Sequence, residues 1–303
     1  MRAPTPKPDA RTPKRAVQDG SSLTRRTVTL AAALAATTSS LTPTPMGAVD
    51  AMTMKGDAMT MKGEMTFFPG TPFFVDQAAA PASAAEPIYS TISAALAAVP
   101  SGGVIIVREG TYNERLFIRR PVKLLCNRAV LSWKSDKPYE AALDVDVSDG
   151  SADSVLVEGL TIRHSSPSIA QNYGVYVHSP TRKVKFSSCD VASSSGSGIG
   201  VEGGNVTVFS CTIHDCKNHG VLYLGGDATG RVERCIVENC KLNGLLLRDG
   251  ASPTLSDNLL KGNGQYGASL IDCSGVLLDN NEVVRNGKGA VSGTCDGVEE
   301  VDS

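Results

Sequence analysis

The segments Gly198-Ile-Gly-Val201, Gly220-Val-Leu-Tyr223 and Gly244-Leu-Leu-Leu247 each place a short apolar stretch directly after a glycine. Related segments begin at three further glycines, namely Gly174, Gly267 and Gly289. Subtracting the residue numbers of these six glycines gives successive intervals of 24, 22, 24, 23 and 22 residues. A fixed period in this range indicates a solenoid, in which each repeat forms one turn of the chain.

Two further sets of polar or sulfur-containing residues keep the same period. The first set is Cys189, Cys211, Cys235, Asn258 and Asn281. The second set is Cys216, Cys240, Asn263 and Asn286. Because these sets run in phase with the glycines, each repeat contains the same succession of short strands and turns.

The content of each repeat selects the kind of solenoid. Strands of three to five residues alternate with turns rich in Gly, Asn, Asp and Ser, whereas the consensus of leucine-rich repeats and the periodicity of helical repeats are missing. The sequence therefore predicts an all-β fold, a right-handed single-stranded parallel β-helix solenoid. Like residues should stack in inward columns, of which one is Val175, Ile199, Val221 and Leu245, and another is Ile162, Val191, Ile213, Val237, Leu260 and Val283.

A short capping helix is predicted before the first coil. Ile92, Ala95, Leu96 and Val99 follow the i, i+3, i+4, i+7 spacing of a helix, with Ser90 or Thr91 as its cap and Pro100 as its end. We therefore expect a β-helix domain of about eight coils over residues 86–303.

Residues 1–85 differ in composition from the repeats and are predicted to be a disordered targeting segment and linker. The stretch around Arg25-Arg26 is followed by a mildly apolar run and resembles a twin-arginine export signal, while its basic lead resembles a bipartite plastid-lumen transit peptide. The resemblance implies export, to the periplasm or outside the cell, or delivery to the plastid or thylakoid lumen. A disordered tail without a targeting role is the alternative.

The overall charge narrows the classes of partner. The 29 Lys and Arg residues nearly balance the 31 Asp and Glu residues, so no basic excess favours nucleic acid. No stretch approaches the roughly 20 apolar residues that a membrane span requires. We therefore expect a polysaccharide or protein partner, with no nucleic acid and no membrane span.

Two parts of the chain resemble known families. Thr91 to Leu125, with Gly110-Thr-Tyr-Asn-Glu114, resembles the opening of pectin-lyase-like right-handed β-helix proteins. Gly220 to Val291 is similar to the repeats of NosD-type proteins and of F-box ubiquitin-ligase adaptors. The resemblance implies the fold but no single activity, because this scaffold carries unrelated functions.

Four cysteines have a spacing close to that of a zinc site, since Cys211, Cys216, Cys235 and Cys240 read C-x4-C-x18-C-x4-C. The repeat period produces the same spacing, and Asn replaces Cys at both positions in the next coils. We therefore expect a structural ladder and no metal. The sequence leaves open whether the cysteines of the two sets, Cys189, Cys211, Cys235, Cys216 and Cys240, form disulfides. Neighbouring coils bring Cys211 within reach of Cys235, and Cys216 within reach of Cys240.

Outward-facing side chains are the candidates for function. The fourth residue after each repeat glycine gives a column with His178, Glu202 and Arg248, and the following strand presents Lys183, Lys185, Arg231 and Glu233. No catalytic set of paired carboxylates is recognised in these columns, so they are predicted to form a binding surface. Asp144, Asp146, Asp149 and Asp153 are a candidate calcium cluster, with a solvated turn as the preferred interpretation.

These observations predict a non-catalytic β-helix binding module that presents a flat sheet surface to a glycan or a protein. The alternative is a carbohydrate-active enzyme, a polysaccharide lyase, hydrolase or epimerase that acts on pectin-like or alginate-like uronans. No cofactor is expected apart from the calcium alternative. The last coil, near Gly297, leaves a strand edge, so we expect either that a partner or a second copy binds there or that the sequence is a fragment of a longer chain.

Overall fold

The computed structural model describes residues 70–78, 87–148, 154–167, 172–179, 183–274, 276–295 and 299–301. The predicted targeting and linker segment lies almost entirely outside these residues, as do Asp149 and Asp153 of the calcium candidate. No helix in the described ranges is long and apolar enough to cross a membrane.

The described residues form three parallel sheets, and the chain visits them in the same order in every coil. Sheet A contains β1 Phe73–Val75, β2 Ile88–Tyr89, β3 Gly103–Val107, β6 Val122–Cys126, β9 Val155–Glu158, β12 Lys183–Ser187, β15 Gly204–Phe209, β18 Ala228–Glu233, β21 Ser252–Ser256, β24 Leu277–Asp279 and β27 Glu299–Val301. Sheet B contains β4 Gly110–Tyr112, β7 Ala129–Lys134, β10 Thr161–Ser165, β13 Asp190–Ser193, β16 Thr212–His214, β19 Ile236–Glu238, β22 Leu259–Lys261 and β25 Glu282–Val284. Sheet C contains β5 Leu116–Ile118, β8 Leu143–Val145, β11 Tyr173–Val177, β14 Ser197–Val201, β17 Val221–Leu224, β20 Leu245–Arg248, β23 Tyr266–Ile271 and β26 Gly289–Ser292.

These strands make eight successive A-B-C coils within the described residues, so the predicted right-handed parallel β-helix is confirmed. The helix α1, Ile92–Ala98, covers the first coil, and Thr91 caps it by accepting a hydrogen bond from the Ala94 N–H to its Oγ1 at 3.2 Å. Strand β1 pairs with β2 and β3, so sheet A includes residues before the domain boundary predicted at residue 86. The assignment of residues 1–85 as a whole stays a prediction.

Stacked apolar columns form the core, as the repeat predicts. Val175 pairs with Ile199, which continues to Val221 and Leu245, and all four are at most 1% exposed. The second predicted column, from Ile162 to Val283, is also in register across sheet B. Because only coils in register bury every apolar residue of these columns, burial fixes the strand pairing.

The corner from sheet A to sheet B is built in the same way in successive coils. One residue of each corner adopts a left-handed backbone conformation. In the later coils these residues have φ between 46° and 54°, and they are Ser188, Ser210, Arg234, Asp257 and Asn280. Each of them directly precedes a Cys or Asn of the ladder. At Gly159, with φ of 70°, an added Cβ would lie 2.4 Å from the carbonyl oxygen of Cys126, so glycine is required.

Candidate functional site on the outer face of sheet C

The outer face of sheet C gathers aromatic and charged side chains from four neighbouring coils. Its strands alternate inward and outward residues, so the residues flanking the buried Val145 and Val177 point out of the β-helix. We call this region the C-face and define it by its outward residues Arg115, Phe117, Arg119, Asp144, Asp146, Tyr173, Tyr176, His178 and Glu202.

Asp144 is the centre of the charged part of the C-face. Its carboxylate lies 2.7 Å from Arg119 Nη1, 3.2 Å from His178 Nε2 and 3.7 Å from Arg115 Nη2. The Asp144 side chain is only 12% exposed, and a buried charge is costly without such partners. Asp146 approaches the other ring nitrogen of His178 at 3.9 Å.

The partners of Asp144 differ from the ligands that a calcium ion requires. Calcium is bound by a shell of six to eight oxygen atoms, whereas Asp144 faces guanidinium and imidazole groups. Among the described residues, no group of three or more His, Cys, Asp or Glu side chains is placed to hold a metal ion. Asp144 is therefore paired with two arginines and His178, and Asp146 lies near His178.

Glu202 is held by two tyrosines. Its carboxylate accepts hydrogen bonds from Tyr176 Oη at 2.6 Å and from Tyr173 Oη at 3.1 Å. The two tyrosine rings stack at 5.2 Å, and Tyr176 also stacks on His178 at 4.7 Å. Burial, together with the neighbouring Glu202 carboxylate, raises the pKa of both tyrosines, so each phenol remains protonated and donates a hydrogen bond.

Two shallow depressions lie at the ends of this row. One, of about 140 Å³, is lined by Tyr139, Ala141, Tyr173, Tyr176 and Glu202. The other, of about 250 Å³, lies between α1 and β5 and is lined by Ser93, Leu96, Ala97, Phe117, Ile118, Arg119 and Arg120. Phe117 is 45% exposed, and the guanidinium groups of Arg115 and Arg119 lie 4.6 and 5.1 Å from its ring centre.

The structure separates the predicted surface residues into two groups. His178 and Glu202 follow one outward column of sheet C and are linked through Tyr176. Arg248 lies in the same column two coils further along and pairs with Asp249 at 3.1 Å. The other predicted residues, Lys183, Lys185, Arg231 and Glu233, lie on sheet A.

Sequence reasoning did not select the arginines and aromatic residues of the C-face. Tyr176 lies two residues before His178, so the same alternation could have identified it as an outward residue. Arg115, Phe117 and Arg119 belong to the first coil, which lacks the glycine repeat, and their register with Asp144 follows only from the pairing of β5 with β8.

The cysteine and asparagine positions form the predicted ladder inside the turns. The Cys189 N–H donates to Cys211 Sγ, the Cys211 N–H to Cys235 Sγ and the Cys235 N–H to Asn258 Oδ1, at 3.3, 3.5 and 2.9 Å. The second ladder repeats this pattern from Cys240 to Asn263 and from Asn263 to Asn286. The zinc-like spacing therefore arises from the repeat.

The state of the cysteines differs along the chain. Cys126, Cys189, Cys211, Cys216, Cys235 and Cys240 are free thiols in the structure. Cys273 and Cys295, which the sequence did not pair, form a disulfide between the last two coils of the described residues. Hydrogen bonds with Cys189 and Cys235 act to lower the pKa of Cys211, whereas the hydrogen bond to Cys211 and burial raise the pKa values of Cys189 and Cys235.

The histidines near the ladder have structural environments. Burial lowers the pKa of His219 to about 4, and its Nδ1 accepts a hydrogen bond from the Asn243 N–H at 3.4 Å. Burial opposes protonation of His214, but hydrogen bonds to Asp215 and Asp190 raise its pKa overall. Neither histidine belongs to the C-face.

Comparison with known proteins agrees with this architecture. Residues 146–300 match the family model described as "Right handed beta helix region", which is just over half of the 303 residues. The fold thus defines a right-handed parallel β-helix protein, and the chain belongs to this family. Among curated proteins, no sequence match to the chain is found.

Several solved structures are similar to the chain at low identity. Pectate lyase Pel9A is 13% identical over 78% of this chain and 80% of its own, with a TM-score of 0.49. A pectin methylesterase from Aspergillus niger is 15% identical over 80% and 93%, with a TM-score of 0.44. The A-module of the mannuronan C-5 epimerase AlgE4 from Azotobacter vinelandii is 14% identical over 63% and 71%, with a TM-score of 0.38. Identities this low concern the fold alone.

Proposed function

We propose that the protein is a non-catalytic binding module that holds a glycan chain on the C-face. The observation that carries this proposal is the row of rings and charged groups across neighbouring coils, from Phe117 through Asp144 to Tyr176 and Glu202. At roughly 4.8 Å per coil, the row is about 14 Å long, which suits a short stretch of an extended polymer.

The chemistry of the row supports a sugar ligand. The exposed rings of Phe117 and Tyr139, at 45% and 60%, offer apolar faces to the C–H groups of a sugar ring. Arg119 is 44% exposed and donates hydrogen bonds in a fixed planar geometry, which suits hydroxyl and carboxylate groups. Rings flanked by a few polar groups are typical of small-molecule sites.

The same residues give less support to catalysis. A general base needs a free basic atom near the substrate, with a pKa close to the working pH. Tyr176 has a raised pKa and donates to Glu202, and both ring nitrogens of His178 face carboxylates. The second candidate function is nevertheless an acid–base enzyme acting on uronans, because Tyr176, His178 and Arg119 lie together.

The proposal also includes the absence of a cofactor and the location of the protein. We expect binding without a cofactor, because Asp144 already pairs with Arg115 and Arg119. An exported or organelle-lumen location fits the disulfide Cys273–Cys295, because disulfides persist in oxidising compartments.

Binding to immobilised pectin, alginate and neutral glycans tests the proposal. We expect saturable binding to at least one glycan, weakened about tenfold or more by Phe117→Ala or Tyr176→Ala, because each removes a stacking ring. Ile236→Ala on sheet B, where Ile236 is 39% exposed, is the matched control and should leave binding unchanged.

Two outcomes contradict the proposal. The first is the absence of binding to every glycan in the panel. The second is the release of unsaturated or reducing ends that His178→Ala abolishes, which would establish the enzyme in place of the binding module.

A further inference from the structure

The outer face of sheet A carries a second cluster of charges, on the other side of the corner from the C-face. The outward positions of β12, β15 and β18 stack in register, so Lys185 pairs with Thr207, which pairs with Arg231. Lys183 lies two residues before Lys185 on the same side of the sheet. We call this region the A-face and define it by Lys183, Lys185, Phe209, Arg231, Glu233 and Arg234.

Phe209 is the centre of the A-face. The ammonium group of Lys185 lies 4.8 Å from the centre of its ring, and the guanidinium group of Arg234 lies 5.7 Å from it. Glu233 lies 3.7 Å from Arg234 and 4.0 Å from Arg231. Lys185 and Arg234 are thus both anchored to the ring on the strand between them, and Arg231 pairs with a carboxylate of its own strand.

The A-face is positively charged within a chain whose formal net charge is −2. Its four cations accompany one acidic member, Glu233, and sheet A carries two further acidic side chains in register nearby, Glu158 on β9 and Asp279 on β24. The side chains of Arg231 and Arg234 are 61% and 62% exposed, so their guanidinium groups reach the solvent. Charge of this sign attracts an acidic partner and orients it before contact.

We propose that the A-face docks an acidic polypeptide segment of a partner protein. Exposed guanidinium groups bind carboxylates through two parallel hydrogen bonds, which Asp and Glu side chains provide. Lys185 and Arg231 are two coils apart, roughly 10 Å, so an extended acidic segment can contact both.

A glycan fits the A-face less well. Sugar binding uses a well-exposed aromatic ring, whereas Phe209 is only partly exposed and also contacts Lys185 and Arg234. In contrast, Phe117 of the C-face is 45% exposed, and Tyr139, which lines the depression beside the C-face, is 60% exposed. The two faces therefore suit different partners, and the docking proposal does not depend on the glycan proposal.

A fluorescein-labelled oligoglutamate peptide, titrated with the full chain, tests the docking proposal. We expect saturable binding at low salt that weakens as salt is added, because exposed charges are screened. The double variant Lys185→Gln/Arg231→Gln should weaken binding about tenfold, since it removes two of the four cations. The matched control Arg248→Gln/Lys261→Gln removes the same charge from sheets C and B and should change affinity less than about twofold.

Two results would overturn the docking proposal. One is equal loss of affinity in the control pair, which would mean that overall charge and not the A-face binds the peptide. The other is displacement of the peptide by polygalacturonate that depends on Lys185 and Arg231, which would make the A-face a glycan site. Phe117→Ala should keep full peptide affinity, so failure of the glycan proposal and failure of the docking proposal are distinguishable.

Discussion

The inner ladder has a thiol half and an amide half that fill the same place in successive coils. In the thiol half, sulfur accepts the N–H of the preceding coil at 3.3 and 3.5 Å. In the amide half, Asn258 accepts at 2.9 Å and also donates to Val232 O at 2.8 Å and to Asn281 Oδ1 at 2.9 Å. One backbone geometry therefore accepts either a small sulfur side chain or a fully hydrogen-bonded amide.

The difference shows what the repeat requires at this position. Both side chains are buried, with Cys211 and Asn258 each 1% exposed. A buried amide is tolerated only when its donors and acceptor are paired, whereas a thiol behaves as a small apolar group with weak hydrogen bonds. The amide half should therefore depend on its hydrogen bonds, and the thiol half mainly on its packing.

The substitution Asn258→Ala should have the largest effect on stability. It leaves the Cys235 N–H and the Val232 carbonyl without these partners inside the β-helix, so we expect the free energy of unfolding to fall by about 3 kcal/mol or more. Urea unfolding followed by circular dichroism measures the change. Asn205→Ala, at an exposed position of sheet A, should change stability by less than about 0.5 kcal/mol.

A fall in pH should have the next largest effect on folding stability, and it should act through the thiol half. All four histidines of the chain precede residue 250, so none lies in the coils of Asn258 and Asn281. The pKa of His219 is lowered to about 4 by burial, from the 6.5 of an exposed imidazole. As pH falls from 6.5 to 4, the unfolded chain takes up a proton that the folded chain excludes, so stability falls.

We expect this loss to be about 2 kcal/mol, after allowance for the partial exposure of His219. The variant His219→Asn should flatten the acid limb of a plot of unfolding free energy against pH. The raised pKa of His214 acts with the opposite sign, since its stabilisation is present at low pH and is lost as pH rises through that pKa. An unchanged acid limb in His219→Asn would contradict the assignment.

The substitution Cys211→Ala should have a smaller effect, about 1 kcal/mol, because it removes one small sulfur and its weak hydrogen bonds with the Cys189 N–H and Phe209 O. Cys235→Asn tests the comparison directly. Its amide could donate to Val208 O, which already accepts from Cys235 Sγ, so we expect stability within about 1 kcal/mol of the parent. A loss as large as that of Asn258→Ala would show that the two halves are not equivalent.

Prediction from the sequence succeeded where similar residues recur at the same position of successive repeats. The columns from Val175 to Leu245 and from Cys189 to Asn281 were predicted from spacing alone and are in register in the structure. The candidate site was predicted only in part. His178 and Glu202 were found by alternation, but Arg119 and Phe117 come from a coil without the repeat.

The amino-acid sequence by itself determined the β-helix, because a period of 22 to 24 residues can bury every apolar strand only if the coils stack in register. The tertiary structure alone decided which outward side chains meet. Arg119 and His178 are 59 positions apart, yet both contact Asp144 from adjacent coils. Such contacts depend on the length and path of the turns, and outward residues carry no burial pattern from which those could be predicted.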